Sequence, residues 1–385
     1  TLQRRAPELT SEDLRRRGAG YQVTGDLQSA LKDARKVVES SDRYQDHVWL
    51  AQLLTQATQR AGREEKTDEA KKLMAEAEQT YRKAVELSDT TAATWVPLIH
   101  FYSVTAQTEK AERALSTATT KIPADEAPLA LAQIYEAMGQ VEKARQQYEA
   151  AVEATPNDVA LVQRLIQFYV RTDRIRLAER QLKRIVSGKL KAEPGVVAWA
   201  RRTQAAILST RSGYQNLQLA IRLVEENIAG ENSSVQDMRL LASVLARSPA
   251  PAQQQKAMRC LEGLASPSAA DRYALAKLYL AHDNWTKAAA LLRSLGEKPQ
   301  YLATYVDALL KRDELQSAEI YLNSLEELAP DQFGIVSLRA DLLFRQGKFI
   351  EALKVMTDFL SRSDGAQTNR EKRLGQVASS LEQFD

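Results

Sequence analysis

The stretch that decides the fold is 125–158, which reads DEAPLALAQIYEAMGQVEKARQQYEAAVEATPND. In its first third, Leu131 and Ile134 belong to a set of apolar residues at the spacing of one helix face. Gly139 interrupts this pattern and suits the left-handed residue that ends many helices. A second helical pattern follows and stops at Pro156, which cannot continue a helix. The stretch therefore predicts two antiparallel helices joined by a short turn.

The same pattern recurs along the chain with a period of 33 to 34 residues. Two residue types keep this register, namely Tyr102, Tyr135 and Tyr169 together with Ala111, Ala144 and Ala178. A fixed period of about 20 to 50 residues indicates a repeat architecture, in which each unit buries its apolar face against its neighbours. The sequence therefore predicts an all-α fold built from consecutive helix pairs.

The defining positions of unit 125–158 resemble the tetratricopeptide repeat (TPR) family. The matching residues are Leu131, Ala132, Tyr135, Gly139, Ala144, Tyr148, Ala151 and Pro156. The chain as a whole resembles large multi-repeat TPR proteins of bacterial type. The resemblance implies a right-handed α-solenoid, or superhelix, of about ten helix-turn-helix repeats with a C-terminal capping helix. It also implies a scaffold that binds partner proteins on its concave face.

Extending the register outward predicts one continuous solenoid over 1–385 rather than separate domains. The elongation of repeat 2 follows from the sequence, because Leu54 to Tyr81 spans 27 residues where the regular unit needs 13. The predicted ranges are repeat 1 at 11–44, repeat 2 with elongated helices at 45–91, three regular repeats at 92–190, an irregular repeat at 195–230, four repeats at 234–365 and a capping helix at 366–385.

The composition narrows the class of protein. Only 15 Gly and 11 Pro in 385 residues leave few turn residues, as expected of long helices. The single cysteine, Cys260, excludes an intrachain disulfide framework and a multi-cysteine metal site, and it fits a reducing compartment. No apolar stretch approaches the roughly 18 residues that span a bilayer. We favour a cytoplasmic location; a periplasmic one stays open, because the chain lacks an initiating Met and looks like a piece of a longer polypeptide.

Catalytic motifs are missing from the sequence. It contains no Walker-type phosphate loop, no dinucleotide-binding glycine motif, no His-Glu-x-x-His and no Gly-x-Ser-x-Gly. The 3 histidines are scattered, so we predict no metal site. Cys260 falls in the second helix of its unit, where we expect a buried structural residue rather than a reactive thiol. We therefore predict a protein that is not an enzyme and has no cofactor.

Positive charge is concentrated in one segment, which we name the basic band, 164–202. The band holds 11 basic residues against three acidic ones, a charge of +8, so that the rest of the chain carries −5 of the total +3. Either an anionic partner, such as an acidic peptide or nucleic acid, or an ordinary solvated helix face accounts for this band. The repeats lack a recurring pair of base-reading polar residues, which argues against code-like RNA recognition.

The first helices of the repeats supply the candidate binding residues. In the chaperone-binding TPR subclass, Lys with Asn or Arg clamps a client carboxylate. The equivalent positions here hold Val96 and His100, Leu129 and Gln133, and Gln163 and Gln167. We therefore predict no chaperone clamp. The candidate partner-binding residues are His100, Gln133, Glu136, Arg164, Gln167, Arg171 and Arg174.

A second candidate site lies in the elongated repeat. Leu73 and Met74 are apolar residues within a highly charged insertion. We predict that both side chains are exposed and form a docking arm.

These observations favour one function and leave two others open. The favoured function is a non-enzymatic scaffold that binds a partner protein or an extended peptide, acidic in view of the basic band. The first alternative is binding of nucleic acid or another polyanion through 164–202. The second is an accessory domain of a larger enzyme or secretion assembly.

Overall fold

Helices make up the described chain in the computed structural model. The structure describes residues 10–230, 233–296, 298–330 and 332–361, and within these ranges it contains twenty α-helices and no β-strand. The predicted fold class, an all-α arrangement of helix-turn-helix repeats, is confirmed. The predicted capping helix at 366–385 lies outside the described residues.

The helices divide between two compact units, Thr1–Ala192 and Glu193–Asp385. The first unit contains α1 (Ser11–Thr24), α2 (Leu27–Val38), α3 (Tyr44–Arg63), α4 (Thr67–Leu87), α5 (Ala92–Val104), α6 (Thr108–Lys121), α7 (Ala127–Ala137), α8 (Val141–Ala154), α9 (Val159–Arg171) and α10 (Ile175–Val186). The second unit contains α11 (Pro194–Ser209), α12 (Tyr214–Ile228), α13 (Val235–Ala246), α14 (Pro251–Glu262), α15 (Ala269–Ala281), α16 (Trp285–Ser294), α17 (Pro299–Lys311), α18 (Leu315–Leu328), α19 (Phe333–Arg345) and α20 (Phe349–Ser361). A single continuous solenoid across both units stays a prediction.

Within each unit, consecutive helices pack as pairs around small residues. Ala144 of α8 and Ala178 of α10 are fully buried, as are their counterparts in other second helices. A small side chain at this position lets two helix backbones approach closely. Aromatic rings fill the wider space between pairs, as where Tyr148 packs on Phe168 with ring centroids 5.0 Å apart.

A residue in the left-handed region reverses the chain between the two helices of most pairs. Gly139 has a φ of 71°, which confirms the turn predicted for it. At the equivalent position of the next pair, Asp173 has a φ of 56°. A side chain in this conformation costs about 1 kcal/mol relative to glycine. The turn at Asp173 closes when the following Arg174 N–H donates to the Tyr169 carbonyl at 2.8 Å.

The range 45–91 contains long helices, with 20 residues in α3 and 21 in α4. Leu73 and Met74 of α4 are half-buried and pack against the core of the first unit. The prediction that these two side chains are exposed is therefore wrong. The reason is that α3 and α4 contact each other extensively, so that the added turns cover their own apolar residues. A docking arm loses the observation that motivated it.

The range 195–230 is filled by α11 and α12, which have 16 and 15 residues. The contact between these two helices includes a buried amide, because Asn227 of α12 donates to the Ala198 carbonyl of α11 at 2.8 Å. A buried polar group needs such a partner to offset its lost hydration.

Candidate protein-interaction surfaces

Three of the predicted binding residues occupy one position in successive first helices. His100 lies in α5, Gln133 in α7 and Gln167 in α9, at intervals of 33 and 34 residues. The side chains of His100 and Gln167 are exposed, and that of Gln133 is half-buried. Within the described part of the chain, none of the three makes a side-chain hydrogen bond. We name these three residues the first-helix row.

Arg164 lies three residues before Gln167 in α9, which places both on neighbouring positions of one helix face. Its side chain is exposed and forms no ion pair with any residue that the structure describes. Arg164 therefore has a free guanidinium beside the first-helix row.

Glu136 and Arg171, also predicted as binding residues, are engaged with each other. Arg171 of α9 donates to Glu136 of α7 at 2.6 Å, and the Tyr148 hydroxyl donates to the same carboxylate at 2.9 Å. Burial raises the pKa of Tyr148, and the hydrogen bond to the Glu136 carboxylate raises it further. The three side chains thus connect two consecutive repeats, and they contribute to the fold before any partner arrives.

Arg174, the seventh predicted residue, is likewise part of an ion-pair network. It donates to Glu142 of α8, and Arg145 donates to the same carboxylate at 2.9 Å. Hydrogen bonds from Arg145 and Arg174 hold the pKa of Glu142 below its usual value. Arg174 therefore has little free charge to offer a partner.

The basic band 164–202 separates into engaged and free residues. Arg184 donates to the Pro156 carbonyl at 2.8 Å, and Arg202 donates to Asp237 at 2.8 Å. The exposed members that form no ion pair with described residues are Arg164, Arg176, Arg180, Lys183, Lys189 and Lys191. All six belong to the first unit, because the division between the units falls inside the band.

A cavity of about 450 Å³ between α4, α5 and α6 was not found from the sequence. Its floor includes Trp95 and Tyr102, and the charged residues around it include Arg82 and Lys110. Glu78 engages both of these cations, since Lys110 Nζ donates to it at 2.8 Å and Arg82 lies 2.7 Å away. The cations around this cavity are therefore largely neutralised by the protein itself.

The second unit contains a further feature that sequence reasoning missed. Ser234 and Asp237 form a capping box at the start of α13, and both carboxylate oxygens of Asp237 accept from Arg202 of α11 at 2.8 Å. Arg239 of α13 binds Asp271, the capping-box acid of α15, in the same way at 2.7 Å. We name these two interactions the arginine clasps.

Both clasp acids are held in the ionised form. Burial by itself raises the pKa of Asp237, but hydrogen bonds from Arg202, Ser234 and Asn227 outweigh it, and the pKa lies below its usual value. The same balance, with Arg239 as the main donor, lowers the pKa of Asp271. The Ser-x-x-Asp spacing is a sequence signal for the acids, whereas no local signal identifies an arginine more than 30 residues upstream.

Other chemical features are few in the described part of the chain. Cys260 is buried, and burial raises the pKa of its thiol. No group of three or more His, Cys, Asp or Glu side chains among the described residues could hold a metal ion. The described helices also include none with the length and apolar character needed to cross a membrane.

A family model described as the Psidin N-terminal TPR repeats region matches residues 101–295, which is half of the chain. The chain belongs to the TPR family. The matched range runs from α5 into α16 and therefore includes the first-helix row. No curated protein matches the chain.

Several solved TPR structures are similar to this chain. A thermophilic TPR protein of Thermus thermophilus is 22% identical, with 42% of this chain and 82% of that chain covered and a TM-score of 0.34. A TPR protein from Parabacteroides merdae is 16% identical, with coverage of 74% and 91% and a TM-score of 0.38. Yeast Tom70 is 10% identical, with coverage of 97% and 96% and a TM-score of 0.37.

The TPR fold is generally a protein–protein interaction scaffold, and TPR scaffolds are typically non-catalytic. The repeats of this chain follow that pattern, because their buried residues serve helix packing. A site for a partner must then be sought among exposed side chains that the fold leaves unengaged.

Proposed function

We propose that this TPR protein is a non-catalytic scaffold that binds a partner protein or an extended peptide along α5, α7 and α9. The observation that carries the proposal is the first-helix row of His100, Gln133 and Gln167. These polar side chains recur at one repeat position, are accessible to solvent to different degrees and make no side-chain hydrogen bond with the described protein. Unengaged donors and acceptors at a regular interval are what an extended main chain can bind.

The spacing of the row is compatible with an extended peptide. Packed neighbouring helices lie about 8–10 Å apart, so three first helices present the row over roughly 16–20 Å. An extended chain advances about 3.3 Å per residue, so a segment of about five or six residues covers the same distance. Arg164 adds a positive charge at one end of the row, which favours a segment with a carboxylate there.

The experiment compares two double variants of the full chain in affinity capture from a nuclease-treated lysate of the source organism. His100→Ala/Gln167→Ala removes two exposed residues of the row. Ser116→Ala/Gln146→Ala is the matched control, because it removes two exposed polar residues from the second helices α6 and α8. We expect the row variant to lose a captured protein, with a dissociation constant raised at least about tenfold, while the control keeps it.

Two outcomes overturn the proposal. The first is equal capture by wild type and the row variant, which places the partner elsewhere on the molecule. The second is capture that disappears after nuclease treatment, with nucleic acid recovered from the untreated sample, which favours the polyanion alternative.

A further inference from the structure

One face of α10 holds a row of free positive charge. Arg176, Arg180 and Lys183 are spaced by four and three residues, which places them on one side of the helix, and all three are exposed. The opposite side of α10 is the buried one, with Leu182 and Ile185 in the core. We name Arg176, Arg180 and Lys183 the α10 stripe. Over about 10 Å of helix it presents three cations to solvent.

The fold does not neutralise this stripe. Glu142 and Glu149 of the preceding second helix, α8, are both engaged by Arg145 at 2.9 Å and 2.6 Å. Glu149 also accepts from the Tyr169 hydroxyl at 2.7 Å. No residue of the α10 stripe forms an ion pair with a described residue.

The chain continues the positive charge beyond the end of α10. Lys189 and Lys191 follow the helix and are both exposed. From 175 to 191 there are six basic residues and one acidic residue, Glu179, for a net charge of +5. Most other cations of the first unit that lie near acids are paired with them, as Arg171 is with Glu136. The α10 stripe and these two lysines are thus the densest free positive charge in the unit.

We propose that the α10 stripe binds an acidic segment of a partner protein. Guanidinium groups bind carboxylates through two parallel hydrogen bonds, and two of the three stripe residues are arginines. This inference rests on the proposed function in that the chain binds proteins. It assigns a separate surface, on a second helix rather than on the first-helix row.

The surroundings of the stripe favour an acidic protein over nucleic acid. Proteins that bind single strands combine positive charge with aromatic side chains on which bases stack. The aromatic residues of α9, Phe168 and Tyr169, are both buried, and α10 has none. Binding of a duplex draws on a larger set of phosphate contacts, commonly about 6–10. Outside the basic band the chain carries −5, which repels a long polyanion.

The test measures fluorescence anisotropy with three labelled probes of about twelve units each. They are an alternating Glu-Ser peptide, the matched Gln-Ser peptide and an oligouridine. The full chain is compared as wild type and as Arg176→Gln/Arg180→Gln/Lys183→Gln. The control variant is Lys32→Gln/Lys71→Gln/Lys72→Gln, which removes three exposed, unpaired cations from α2 and α4 and so changes the net charge equally.

We expect wild type to bind the Glu-Ser peptide, the stripe variant to bind it about tenfold more weakly, and the control variant to keep it. We also expect binding to weaken between about 50 mM and 200 mM salt. Circular dichroism verifies that each variant is folded. The His100→Ala/Gln167→Ala variant should bind this peptide like wild type, so that failure of the stripe and failure of the first-helix row can be told apart.

Three results overturn the assignment. Equal loss in the stripe and control variants shows a general charge effect rather than a site. Equal binding of the Gln-Ser peptide removes the carboxylate from the recognition. Tighter binding of oligouridine than of the Glu-Ser peptide, lost in the stripe variant, assigns the surface to nucleic acid instead.

Discussion

Ion pairs connect consecutive repeats in both units, but they are buried to very different extents. In the repeats of 92–190, Arg171 and Glu136 have 53% and 28% of their side chains exposed. In the second unit, Arg202 and Asp237 have 23% and 0% exposed. The first kind of pair stays in contact with water, and the second kind is part of the interior.

This difference in burial changes what each interaction contributes. A solvated pair gains little over its hydrated, separated partners, typically 0–1 kcal/mol. A buried acid has lost its water, so removal of one partner leaves the other without compensation. The arginine clasps therefore hold the second unit together, whereas the exposed pairs of the first unit mainly determine which charges remain free. Four measurements test this comparison.

The largest expected effect is that of Asp237→Ala. The substitution removes the acid that binds Arg202, Ser234 and Asn227 at the start of α13. We expect the free energy of unfolding to fall by about 3–5 kcal/mol, because a half-buried guanidinium and a buried amide lose their partner. Urea denaturation followed by circular dichroism measures the loss. The matched Glu136→Ala variant in the first unit should lose less than about 1 kcal/mol, and equal losses would show that burial does not separate the two regions.

Acid should weaken the buried interactions next. The pKa values of Asp46, Asp237 and Asp271 are all lowered in the folded protein. Unfolded aspartates have a pKa of about 3.9, so the stabilisation is complete above that pH. As the pH falls below about 4, the unfolded state takes up protons first, and stability is lost as the pH passes through the folded-state pKa values.

Urea midpoints at about pH 7, 5 and 3, at constant ionic strength, measure this acid dependence. We expect little change between pH 7 and 5 and a clear decrease at pH 3. Asp237→Asn should flatten the decrease, because that acid no longer titrates. An unchanged slope in this variant would contradict the role given to the clasp.

A smaller effect is expected for Tyr148→Phe in the first unit. The substitution keeps the ring that packs on Phe168 and removes the hydroxyl that donates to Glu136 at 2.9 Å. We expect a loss of about 1 kcal/mol in the free energy of unfolding, as for one hydrogen bond to a charged acceptor. Thermal and urea denaturation measure it, with Tyr44→Phe, a substitution at a partly exposed tyrosine of α3, as the control. A loss above about 3 kcal/mol would show that the pair with Arg171 depends on the hydroxyl.

The smallest effect is expected for Arg171→Gln. Because more than half of this side chain is exposed, its pair with Glu136 should contribute only a few tenths of a kcal/mol. The difference from wild type should disappear at high salt, where exposed charges are screened. A loss comparable to that of Asp237→Ala, or one insensitive to salt, would place this pair with the buried clasps and remove the contrast between the regions.

The sequence predicted the repeat class from local signals. The period shared by Tyr102, Tyr135 and Tyr169 indicated the helix pairs, and Gly139 indicated a left-handed turn that the φ of 71° confirms. The equivalent turn residue in the next pair is Asp173, which carries no glycine signal. Its left-handed conformation follows from the packing of the helices on either side, which outweighs the local cost.

The candidate site was less accessible to sequence reasoning. Glu136, Arg171 and Arg174 were predicted to face a partner, yet each is bound by another side chain of the chain itself. Leu73 and Met74 were predicted to be exposed and are half-buried instead. In each case the deciding neighbour lies on another helix, where periodicity within one unit gives no information.

The sequence by itself thus determined the all-α repeat fold, because a helix pair is specified by residues within one stretch of about 34 positions. Only the tertiary structure decided which charges are free, since Arg171 and Glu136 are 35 residues apart and Arg202 and Asp237 are also 35 apart. Distances of one repeat become contacts when consecutive repeats stack. The α10 stripe is left over by that stacking, because the acids nearest to it in the chain are already bound to other residues.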